Sequence, residues 1–583
     1  MNGRPFTILH YDLTAGRGMR REFSAPEESL GGSGLAAALY REYGLPGEPP
    51  FHPGQPVIFA VGPLTGYFPL MSKTVCAFRS PYTGEYAESH AGGRLAMSLR
   101  MAGYDALVIT GRAKSLSVLV VGGRHMELHD VHYLAGSDAL SVGKHLRRFG
   151  HGASGHRSTL RIGPAGENLV ETACINVDTY RHFGRLGSGA ALGAKRLKAV
   201  VVLGDSAQPI PEGKDYPKLF KDIHAKLTTT DMMDKYHNLG TPENLLVLNH
   251  IKALPWRNLQ QTTDPGVEGI SGERFAEQLL LRKAACSGCP VGCIHIGLLR
   301  EMFAAKNDYL YRQVAYDYEP LFSCGSMLGL TQASDVLAVM DECERQGLDV
   351  MSSGVALAWA VEALAKGLVS EEQTLAPLRF GDAAGFRQGM VHLGQRSNEF
   401  WRVLGSGALK AGDAYGGADF ACVLGQEMAG YATGEVFFVA EALGFRHSHL
   451  DSGGYSYDQK AKDKDAAKAV EFLVKDERQR VMVTCMVACL FARGVYTPEL
   501  VQEALRVTGH PEAADNLDAL SGEVQAWRWR LKFDTGYHPD RVRIPQRFLE
   551  VETWKGRMDP VFLGDVRARY TKAILAMAAR LPE

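Results

Sequence analysis

The sequence has few cysteines, almost no net charge and no long apolar run. Ten cysteines among 583 residues are too few for a disulfide scaffold, and 64 Lys and Arg residues nearly balance 65 Asp and Glu residues. This balance excludes a strongly basic surface for nucleic acid or anionic membranes. No apolar stretch approaches the roughly 18 residues of a membrane helix, and the N-terminus lacks the features of a signal peptide. We therefore expect a cytoplasmic protein that binds neither nucleic acid nor membranes.

Length and residue patterns predict how the chain is divided. A chain of 583 residues exceeds one hydrophobic core. The first 200 residues carry short β-branched runs bounded by Gly, Pro or charge, namely FTILHYDLT, PVIFAVG, TVCAF, DALVITG and LSVLVVGG. Later apolar residues recur at helical spacing. We predict an α+β fold, with a β-rich N-terminal domain (1–208) followed by two mainly α-helical domains (209–415 and 416–583).

The helical spacing is clearest in five stretches. They read DYPKLFKDIHAKL, ERFAEQLLLRKA, ASDVLAVMDECERQG, GVALAWAVEALAKG and DAAKAVEFLVKDERQRVMVTCMVACLFARG. We predict helical structure in all five. In the last stretch Cys485 and Cys489 are four residues apart, which would place both thiols on one helix face.

Three of the ten cysteines are concentrated in the segment CSGCPVGC. Cys286, Cys289 and Cys293 have C-x2-C-x3-C spacing, and thiolates are ligands suited to zinc or iron–sulfur clusters. His295 could complete a Cys3His zinc site, whereas a [4Fe–4S] cluster normally takes a fourth thiolate from elsewhere. Seven cysteines could supply it: Cys76, Cys174, Cys324, Cys343, Cys422, Cys485 and Cys489. Spacing alone supports zinc and iron–sulfur equally and does not choose among the seven.

Two glycine-rich segments of the first domain, AESHAGG and RHFGRLGSG, each precede a helical pattern. Free backbone N–H groups in such loops can hold phosphate, although neither segment matches a P-loop or a clean dinucleotide fingerprint. Tight turns in a β-rich domain are the other interpretation of each loop. Two such loops beside a candidate redox cluster favour a large phosphate-bearing cofactor.

Motifs along essentially the whole chain resemble one known family. They are YDLTAG, GGSGLAAALY, VGPLTG with SPYTG, AGGRLAMSLRMAGYDALVITGRA, IGPAGENLVETACINVD, GAALGAKRLKAV, CSGCPVGC, YEPLFSCGSMLGL and GLDVMSSG. In this order they resemble the tungsten-dependent aldehyde:ferredoxin oxidoreductase family. The resemblance implies a β-rich base and two helical domains around a tungsten (or molybdenum) ion held by two molybdopterins. The pterin phosphates would share a Mg²⁺ ion, and a nearby [4Fe–4S] cluster would take the electrons.

The resemblance also implies the cluster ligands. Cys286, Cys289 and Cys293 match the family's triplet, and Cys489 matches its fourth cysteine because a hydrophobic-Phe pair follows it. Under this assignment His295 is not a ligand of the cluster.

Cofactor contacts are implied on both sides of the triplet. The implied positions are Lys73, His90, Gly92, Gly93, His182, Phe183, Gly184, Arg185, Glu344, Gly347, Leu348, Asp349, Thr484 and Ala488. Lys73 stands where the family usually has arginine, and Glu344 and Thr484 replace aspartates of the two pterin motifs. Glutamate can still accept a pterin N–H bond. The Mg²⁺ ion would be bound partly by backbone carbonyls, those of His90 and of His182 or Phe183.

Catalytic residues are implied by the same resemblance. Glu319 in DYEPL would act as a general base whose pKa burial raises. His449, preferred by residue count, or His447 would donate a hydrogen bond to the substrate oxygen. The implied reaction oxidises a small aldehyde to a carboxylic acid, with electrons passing to ferredoxin or an iron–sulfur subunit. A homo-oligomer is possible, but the glutamate of the family's metal-bridged dimer is Ala338 here, so assembly is expected to differ.

Two other functions remain open from the sequence. The chain could be the catalytic subunit of a multi-subunit, low-potential reductase of the same family, acting on an aromatic thioester or a carboxylic acid. It could also be a zinc-stabilised homologue without enzymatic activity, for which the altered pterin motifs at Glu344 and Thr484 are the support.

Overall fold

The computed structural model describes residues 5–24, 30–150, 156–304 and 308–580, and its N-terminal part is built on two six-stranded sheets. The strands of the first sheet are β1 (Phe6–Asp12), β2 (Arg17–Phe23), β3 (Val57–Ala60), β4 (Thr74–Arg79), β5 (Tyr86–Ala91) and β6 (Ala106–Thr110). Those of the second are β7 (Ser117–Gly122), β8 (Met126–Asp130), β9 (His156–Arg161), β10 (Ile175–Val177), β11 (Arg181–Phe183) and β12 (Leu197–Gly204). The spatial orders are β2-β1-β6-β3-β4-β5 and β11-β10-β9-β12-β7-β8.

The two sheets pack against each other because side chains alternate along each strand. Leu9 and Phe59 of the first sheet meet Leu119 of the second in the core between them. Their neighbours Ile8 and Ile58 point the other way and pack on helices. The helices of this part are α1 (Gly32–Tyr43), α2 (Leu95–Met101), α3 (Ala139–His145), α4 (Pro164–Glu167) and α5 (Ser188–Gly193). Alternation therefore gives the central strands β3, β4 and β6 two buried faces, as their mainly apolar sequences require.

The rest of the chain is mainly helical. Its helices are α6 (Asp215–Thr229), α7 (Asp231–His237), α8 (Asn244–His250), α9 (Gly272–Gln278), α10 (Tyr318–Cys324), α11 (Ala333–Gln346), α12 (Val350–Ala365), α13 (Glu371–Thr374), α14 (Ala383–Gln395), α15 (Glu399–Leu404), α16 (Ala408–Tyr415), α17 (Glu435–Leu443), α18 (Gly454–Lys460), α19 (Ala466–Cys485), α20 (Pro498–Val507), α21 (Pro511–Asp515), α22 (Leu517–Asp534) and α23 (Pro560–Ala578). Its strands are β13 (Leu280–Ala284), β14 (Ile294–Ala304), β15 (Asp308–Tyr316), β16 (Val423–Leu424), β17 (Gln426–Glu427), β18 (Glu552–Thr553) and β19 (Gly556–Arg557). The predicted fold class, a β-rich region followed by helices, is confirmed.

The predicted domain boundaries stay predictions. The first, near residue 208, lies in the segment between β12 and α6. The second, near residue 415, coincides with the end of α16, but one hydrophobic core includes Trp359 and Trp401 before it and Phe437 after it. The two helical regions therefore share buried surface. None of the described helices is both long and apolar enough to cross a membrane.

Two predicted helices end earlier than expected. In ERFAEQLLLRKA the helix α9 stops at Gln278, because Leu280–Ala284 pair with β14 as a strand, with Arg282 opposite Ile296. The helix α19 stops at Cys485, and Val487 has a left-handed φ of 51° that no helix continues through. The expectation that Cys485 and Cys489 share a helix face was therefore wrong.

Candidate active site

One cavity of about 370 Å³ gathers most of the residues that the resemblance implied. It is lined by strands and loops of the N-terminal sheets and by segments of the helical part. The implied residues that line it are Lys73, His90, Gly92, His182, Gly184, Arg185, Cys286, Cys289, Cys293, Glu319, Glu344, Leu348, Asp349, His449, Thr484, Ala488 and Cys489. The size and the mixture of apolar and convergent polar groups are typical of a cofactor site.

The four cysteines are brought together by backbone hydrogen bonds from one residue of the first domain. Leu70 donates its N–H to the carbonyl of Gly288, inside the cysteine triplet, and accepts the N–H of Cys489 at 3.0 Å. Its φ of 62° lets it turn to both partners. Lys73 donates its N–H to the carbonyl of Val487, and the loop of the triplet is tied to Gly93. All four thiols are free and only partly buried, so each can reach a bound group.

Two cations surround the thiols. The thiols of Cys489 and Cys286 raise the pKa of Lys73 above its usual value, against the lowering effect of burial. Burial lowers and Cys286 raises the pKa of Arg181, which ends above its ordinary value. Gly92 closes the same corner, because a Cβ there would lie 2.7 Å from the sulfur of Cys286. Positive charge around four thiols fits an anionic metal–thiolate group.

His295 is not available as a metal ligand. Its Nδ1 lies 3.1 Å from the carbonyl of Cys293, and its Nε2 lies 2.7 Å from the carbonyl of Asn238. Both ring nitrogens therefore face backbone carbonyls, and the neutral ring donates to one of them at a time. Among the described residues, no three His, Cys, Asp or Glu side chains converge on a position for a single metal ion. The carbonyls that face His295 disfavour a mononuclear Cys3His zinc site, and a [4Fe–4S] cluster would instead take four thiolates.

The first implied pterin motif joins the helical part to the first domain. Gly347 ends α11 with a φ of 72°, and its carbonyl accepts the N–H of Cys174. Asp349 caps α12 through the N–H groups of Met351 and Ser352 and accepts from Nε of Arg185 at 3.3 Å. Arg185 is thereby fixed at the cavity wall. Gly347 itself does not line the cavity, since the motif presents its neighbours instead.

Glu344, expected to contact a pterin, is engaged by another implied residue. Its Oε2 lies 2.7 Å from Nε2 of His182. The Glu344 side chain, one methylene longer than aspartate, reaches this imidazole. Thr484 likewise donates its hydroxyl to the carbonyl of Val481. Both side chains line the cavity, but a pterin would have to compete with these partners.

Of the residues implied to lie near the Mg²⁺ ion, some line the cavity and others do not. The Phe183 ring is fully buried between the sheets, and its carbonyl accepts the hydroxyl of Ser188. Gly93 does not line the cavity either, but its carbonyl accepts the N–H of Ser287. His90 and His182 do line it. Of the two alternatives, His182 is therefore the better placed.

Four residues of the segment RHSHLD line the cavity, and one of them, Arg446, forms a buried ion pair with Asp451. The Arg446 Nε donates to Asp451 at 2.7 Å, and Asp451 also accepts the N–H of Arg446. Arg446 Nη1 donates to Nδ1 of His90, whose Nε2 lies 3.1 Å from Glu88. Burial and Arg446 lower the pKa of His90 to about 4. His90 is therefore neutral at pH 7, with its proton on Nε2.

Glu319, His449 and Tyr431 form a hydrogen-bonded group in the cavity. Oε1 of Glu319 accepts the Tyr431 hydroxyl at 2.9 Å and lies 3.0 Å from Nε2 of His449. Burial raises the pKa of Glu319, but these two partners lower it below its ordinary value. The expectation that burial would raise this pKa is not supported, because the hydrogen bonds outweigh desolvation.

His447 is directed away from the cavity. Its Nδ1 lies 2.8 Å from the carbonyl of Ala442, and its Nε2 lies 3.0 Å from Nζ of Lys532. Burial and Lys532 lower its pKa to about 3, so the ring is neutral and donates from Nδ1. The geometry thus supports His449 and not His447 as the histidine of this site.

Two functional candidates were missed from the sequence. Asp317 lines the cavity and lies 3.8 Å from Arg181, and burial and Glu319 raise its pKa to about 6. No spacing distinguished it from a helix N-terminal residue. Tyr431 begins the segment YATG, which carries no spacing or residue type that marks it as functional.

Several buried polar atoms at the cavity have no protein partner. Among the described residues they include Nδ1 of His449, Nη1 of Arg185 and Nε of Arg181. A buried polar group left unpaired costs about 1–3 kcal/mol, so such groups normally meet a ligand or water. Together with the thiols and the glycine at position 92, these atoms fit a large anionic metal cofactor.

Comparisons with known proteins match most of the chain to one family. The family model described as "Aldehyde ferredoxin oxidoreductase, N-terminal domain" matches residues 8–204, and the one described as "Aldehyde ferredoxin oxidoreductase, domains 2 & 3" matches residues 218–572. The tungsten-containing aldehyde ferredoxin oxidoreductase of Pyrococcus furiosus is 29% identical over 394 residues, 66% of this chain. The matched region spans 63% of that relative's length.

Two further proteins extend the comparison. The aliphatic sulfonate oxidoreductase, WOR-like subunit, of Pyrococcus furiosus is 28% identical over 425 residues, which are 69% of this chain and 66% of that protein. The active site complex BamBC of benzoyl coenzyme A reductase, solved with 1,5-dienoyl-CoA, has a TM-score of 0.80. The matched region covers 97% of this chain and 94% of that protein's chain at 19% identity. This similarity shows a shared fold alone.

Proposed function

The chain belongs to the aldehyde ferredoxin oxidoreductase family, and on that premise we propose that it oxidises an aldehyde to a carboxylic acid and passes the electrons through a [4Fe–4S] cluster to ferredoxin or a similar carrier. One observation carries the proposal. The hydrogen-bonded group of Glu319, His449 and Tyr431 lies in the same cavity as Cys286 and Cys489. A proton-handling group and a cluster site in one cavity are what coupled oxidation and electron removal require.

The protein residues that would hold the cofactors follow from their positions. Four thiolates, those of Cys286, Cys289, Cys293 and Cys489, would bind the cluster, with Lys73 and Arg181 balancing its charge. A tungsten (or molybdenum) bis-molybdopterin would be held beside Arg185, Asp349 and Ala488, with Mg²⁺ near His90 and His182. When bound, it would supply the two-electron oxidation, and the cluster would carry the electrons away singly.

The side chains of the cavity would handle protons. Oxidation of an aldehyde with one water releases two electrons and two protons, besides forming the acid. Oε1 of Glu319 accepts the hydrogen bonds from Tyr431 and His449, so Oε2 would be the atom that takes a proton from the attacking water. Asp317, with a pKa of about 6, would receive a proton near neutral pH.

His449 would act through a fixed orientation. Its Nε2 is used by Glu319, and Nδ1 has no partner among the described residues. With Nε2 directed at Glu319, Nδ1 is the ring nitrogen left to form a hydrogen bond with the substrate. Arg480 holds the carbonyls of His449 and Leu450 at 3.3 and 3.1 Å, which keeps the ring in place.

The test is a measurement of metals and activity on anaerobically purified protein. We expect tungsten or molybdenum and about four irons per chain, with aldehyde-dependent reduction of a viologen. Zinc in place of both metals would establish the zinc-stabilised, non-enzymatic alternative. Tungsten without activity on any aldehyde tested would contradict the proposed reaction.

A second candidate is the catalytic subunit of a multi-subunit, low-potential reductase of the same family. The relative named as a WOR-like subunit and the fold shared with a subunit complex of benzoyl coenzyme A reductase favour it. In that case, iron–sulfur subunits would co-purify with the chain. Activity would require a low-potential electron donor and an acid or thioester substrate, and aldehyde oxidation would be slow.

A further inference from the structure

The β-hairpin of β14 and β15 presents an exposed face of aromatic and basic residues. Arg300 pairs with Tyr311 and Met302 pairs with Tyr309, and residues opposite each other or two apart in an antiparallel pair lie on one face. Met302 is 62% exposed and Tyr311 is 61% exposed, whereas the guanidinium of Arg300 stacks 3.7 Å from the Tyr309 ring. We name Arg300, Met302, Tyr309 and Tyr311 the hairpin face.

The composition of this face is that of a protein interface. Tyr, Met and Arg are enriched at interface centres, and Tyr and Arg carry much of the binding energy there. Met302 and Tyr311 are large side chains on neighbouring strands, and each is about three fifths exposed. Exposing both to water is unfavourable unless a partner covers them. Within the described chain no element covers the face, and β15 forms the outer edge of its sheet.

The charge of the face is positive. Arg300 makes no ion pair within the described residues, and neither does Arg282 on the adjoining strand β13. The carboxylate of Glu301 points to the opposite face, where it binds Arg312 at 3.2 Å and Arg387 at 2.6 Å. A partner with acidic groups around an apolar centre would complement this surface.

The face is continuous with the cysteine triplet. Strand β13 ends at Ala284, two residues before Cys286, and β14 begins at Ile294, one residue after Cys293. Arg282 is four residues from Cys286, which is at most about 14 Å along an extended chain.

Side-chain contacts make the same connection. Gln313, on the same face of β15, accepts from Arg282 at 3.3 Å and from the Tyr180 hydroxyl at 3.0 Å. Tyr180 lines the cavity together with its neighbour Arg181 and with Cys286 and Cys293. The hairpin face thus extends outward from the cysteine site.

We propose that the hairpin face docks an acidic iron–sulfur protein that exchanges electrons with the cysteine site. The proposal rests on the proposed function, since it names the surface that the electron partner uses. For aldehyde oxidation each turnover would reduce two one-electron clusters of the partner and release two protons. A second copy of this chain is the less favoured occupant, because it would bring arginines against arginines.

The test is binding of a two-cluster ferredoxin of low isoelectric point, labelled for fluorescence anisotropy. Arg300→Glu and Tyr311→Ala change the face without touching the cavity. Arg124→Glu and Tyr133→Ala are matched controls, because Arg124 is exposed on the β7–β8 turn and Tyr133 is 60% exposed. We expect each face variant to raise Kd by about 10-fold or more and the controls to leave it within about twofold.

Salt provides a second readout. Binding of the wild type should weaken between about 50 and about 200 mM salt, and Arg300→Glu should reduce that dependence. Viologen-linked aldehyde activity should be retained in both face variants, while ferredoxin-linked activity shows a raised KM. The binding measurement decides the proposal even where no aldehyde is oxidised, so its failure is separate from failure of the proposed reaction.

Three results would overturn the proposal. They are no ferredoxin binding by the wild type, equal binding by wild type and face variants, and a wild-type dimer in solution that Tyr311→Ala dissociates. The last result would assign the face to a second copy of the chain.

Discussion

Nε2 of His449 lies 3.0 Å from Oε1 of Glu319, and the same oxygen accepts the hydroxyl of Tyr431. Two donors on one carboxylate oxygen keep Glu319 ionised in a buried setting, where desolvation alone would favour its protonated form. The group therefore has a fixed orientation and a fixed charge before any substrate enters.

The hydrogen bond from Tyr431 to Glu319 should affect how kcat/KM depends on pH. Because this bond lowers the pKa of Glu319, Tyr431→Phe should raise that pKa and move the acid limb of kcat/KM to higher pH. Glu319→Gln removes the proposed base and should reduce kcat by about 10²–10⁴-fold at all pH values. pH profiles of the anaerobic viologen assay measure both. An unchanged acid limb in Tyr431→Phe would show that Glu319 is not the group that titrates.

His449 and His447 form a matched pair of histidines, one inside the cavity and one outside. His449→Asn should lower kcat with little change in thermal stability, since the ring serves the cavity. His447→Asn should keep kcat and lose about 1–3 kcal/mol of unfolding free energy, because it leaves buried partners at Ala442 and Lys532 unpaired. Kinetics and thermal unfolding on both variants separate the roles. The reverse pattern would exchange the assignments.

Replacing Asp317 should make the protein more stable and less active. Its folded pKa of about 6 exceeds its ordinary value of 3.8, so the folded state binds more protons between these values and loses stability as pH rises through them. Asp317→Asn should therefore raise Tm at pH 7.5 more than at pH 4. In activity it should remove an inflection of kcat/KM near pH 6. An equal change in Tm at both pH values would contradict the raised pKa.

Serine substitutions at Cys489 and Cys485 distinguish a cluster ligand from a buried thiol that only contributes packing. Cys489→Ser should lower the iron content from about four to about three per chain and change the electron paramagnetic resonance signal of the reduced protein. Cys485 is fully buried at the end of α19, so Cys485→Ser should keep all four irons and lose only packing energy. A full, stable cluster in Cys489→Ser would show that another residue is the fourth ligand.

Much of the N-terminal fold could be predicted because its strands are determined locally. β1, β3, β4, β6 and β7 coincide with the five apolar runs, each bounded by Gly, Pro or charge. The hairpin of β14 and β15 was not predicted. One of its faces is packed on helices and the other is exposed with Tyr and Met, so its pattern lacks a clean alternation of polar and apolar residues.

The candidate site could be predicted only where a motif carried it. The cysteine triplet and Glu319 lie in recognisable segments, and they line the cavity. Asp317 and the pair of Glu344 with His182 depend on long-range packing, which brings β11 beside the end of α11. No local pattern records such a pairing, because its two residues are 162 positions apart.

The two bonds of Leu70 have a consequence for how the folded chain is held together. Leu70 of the first domain is hydrogen-bonded to the segments of Cys293 and of Cys489, and a cluster on all four thiols would crosslink these two segments. Such a crosslink restricts the unfolded chain most when the loop it closes is long, as between these cysteines. Damage of the cluster by oxygen would then stop electron transfer and remove this crosslink in the same step. Aerobic inactivation and destabilisation of the fold would therefore occur together.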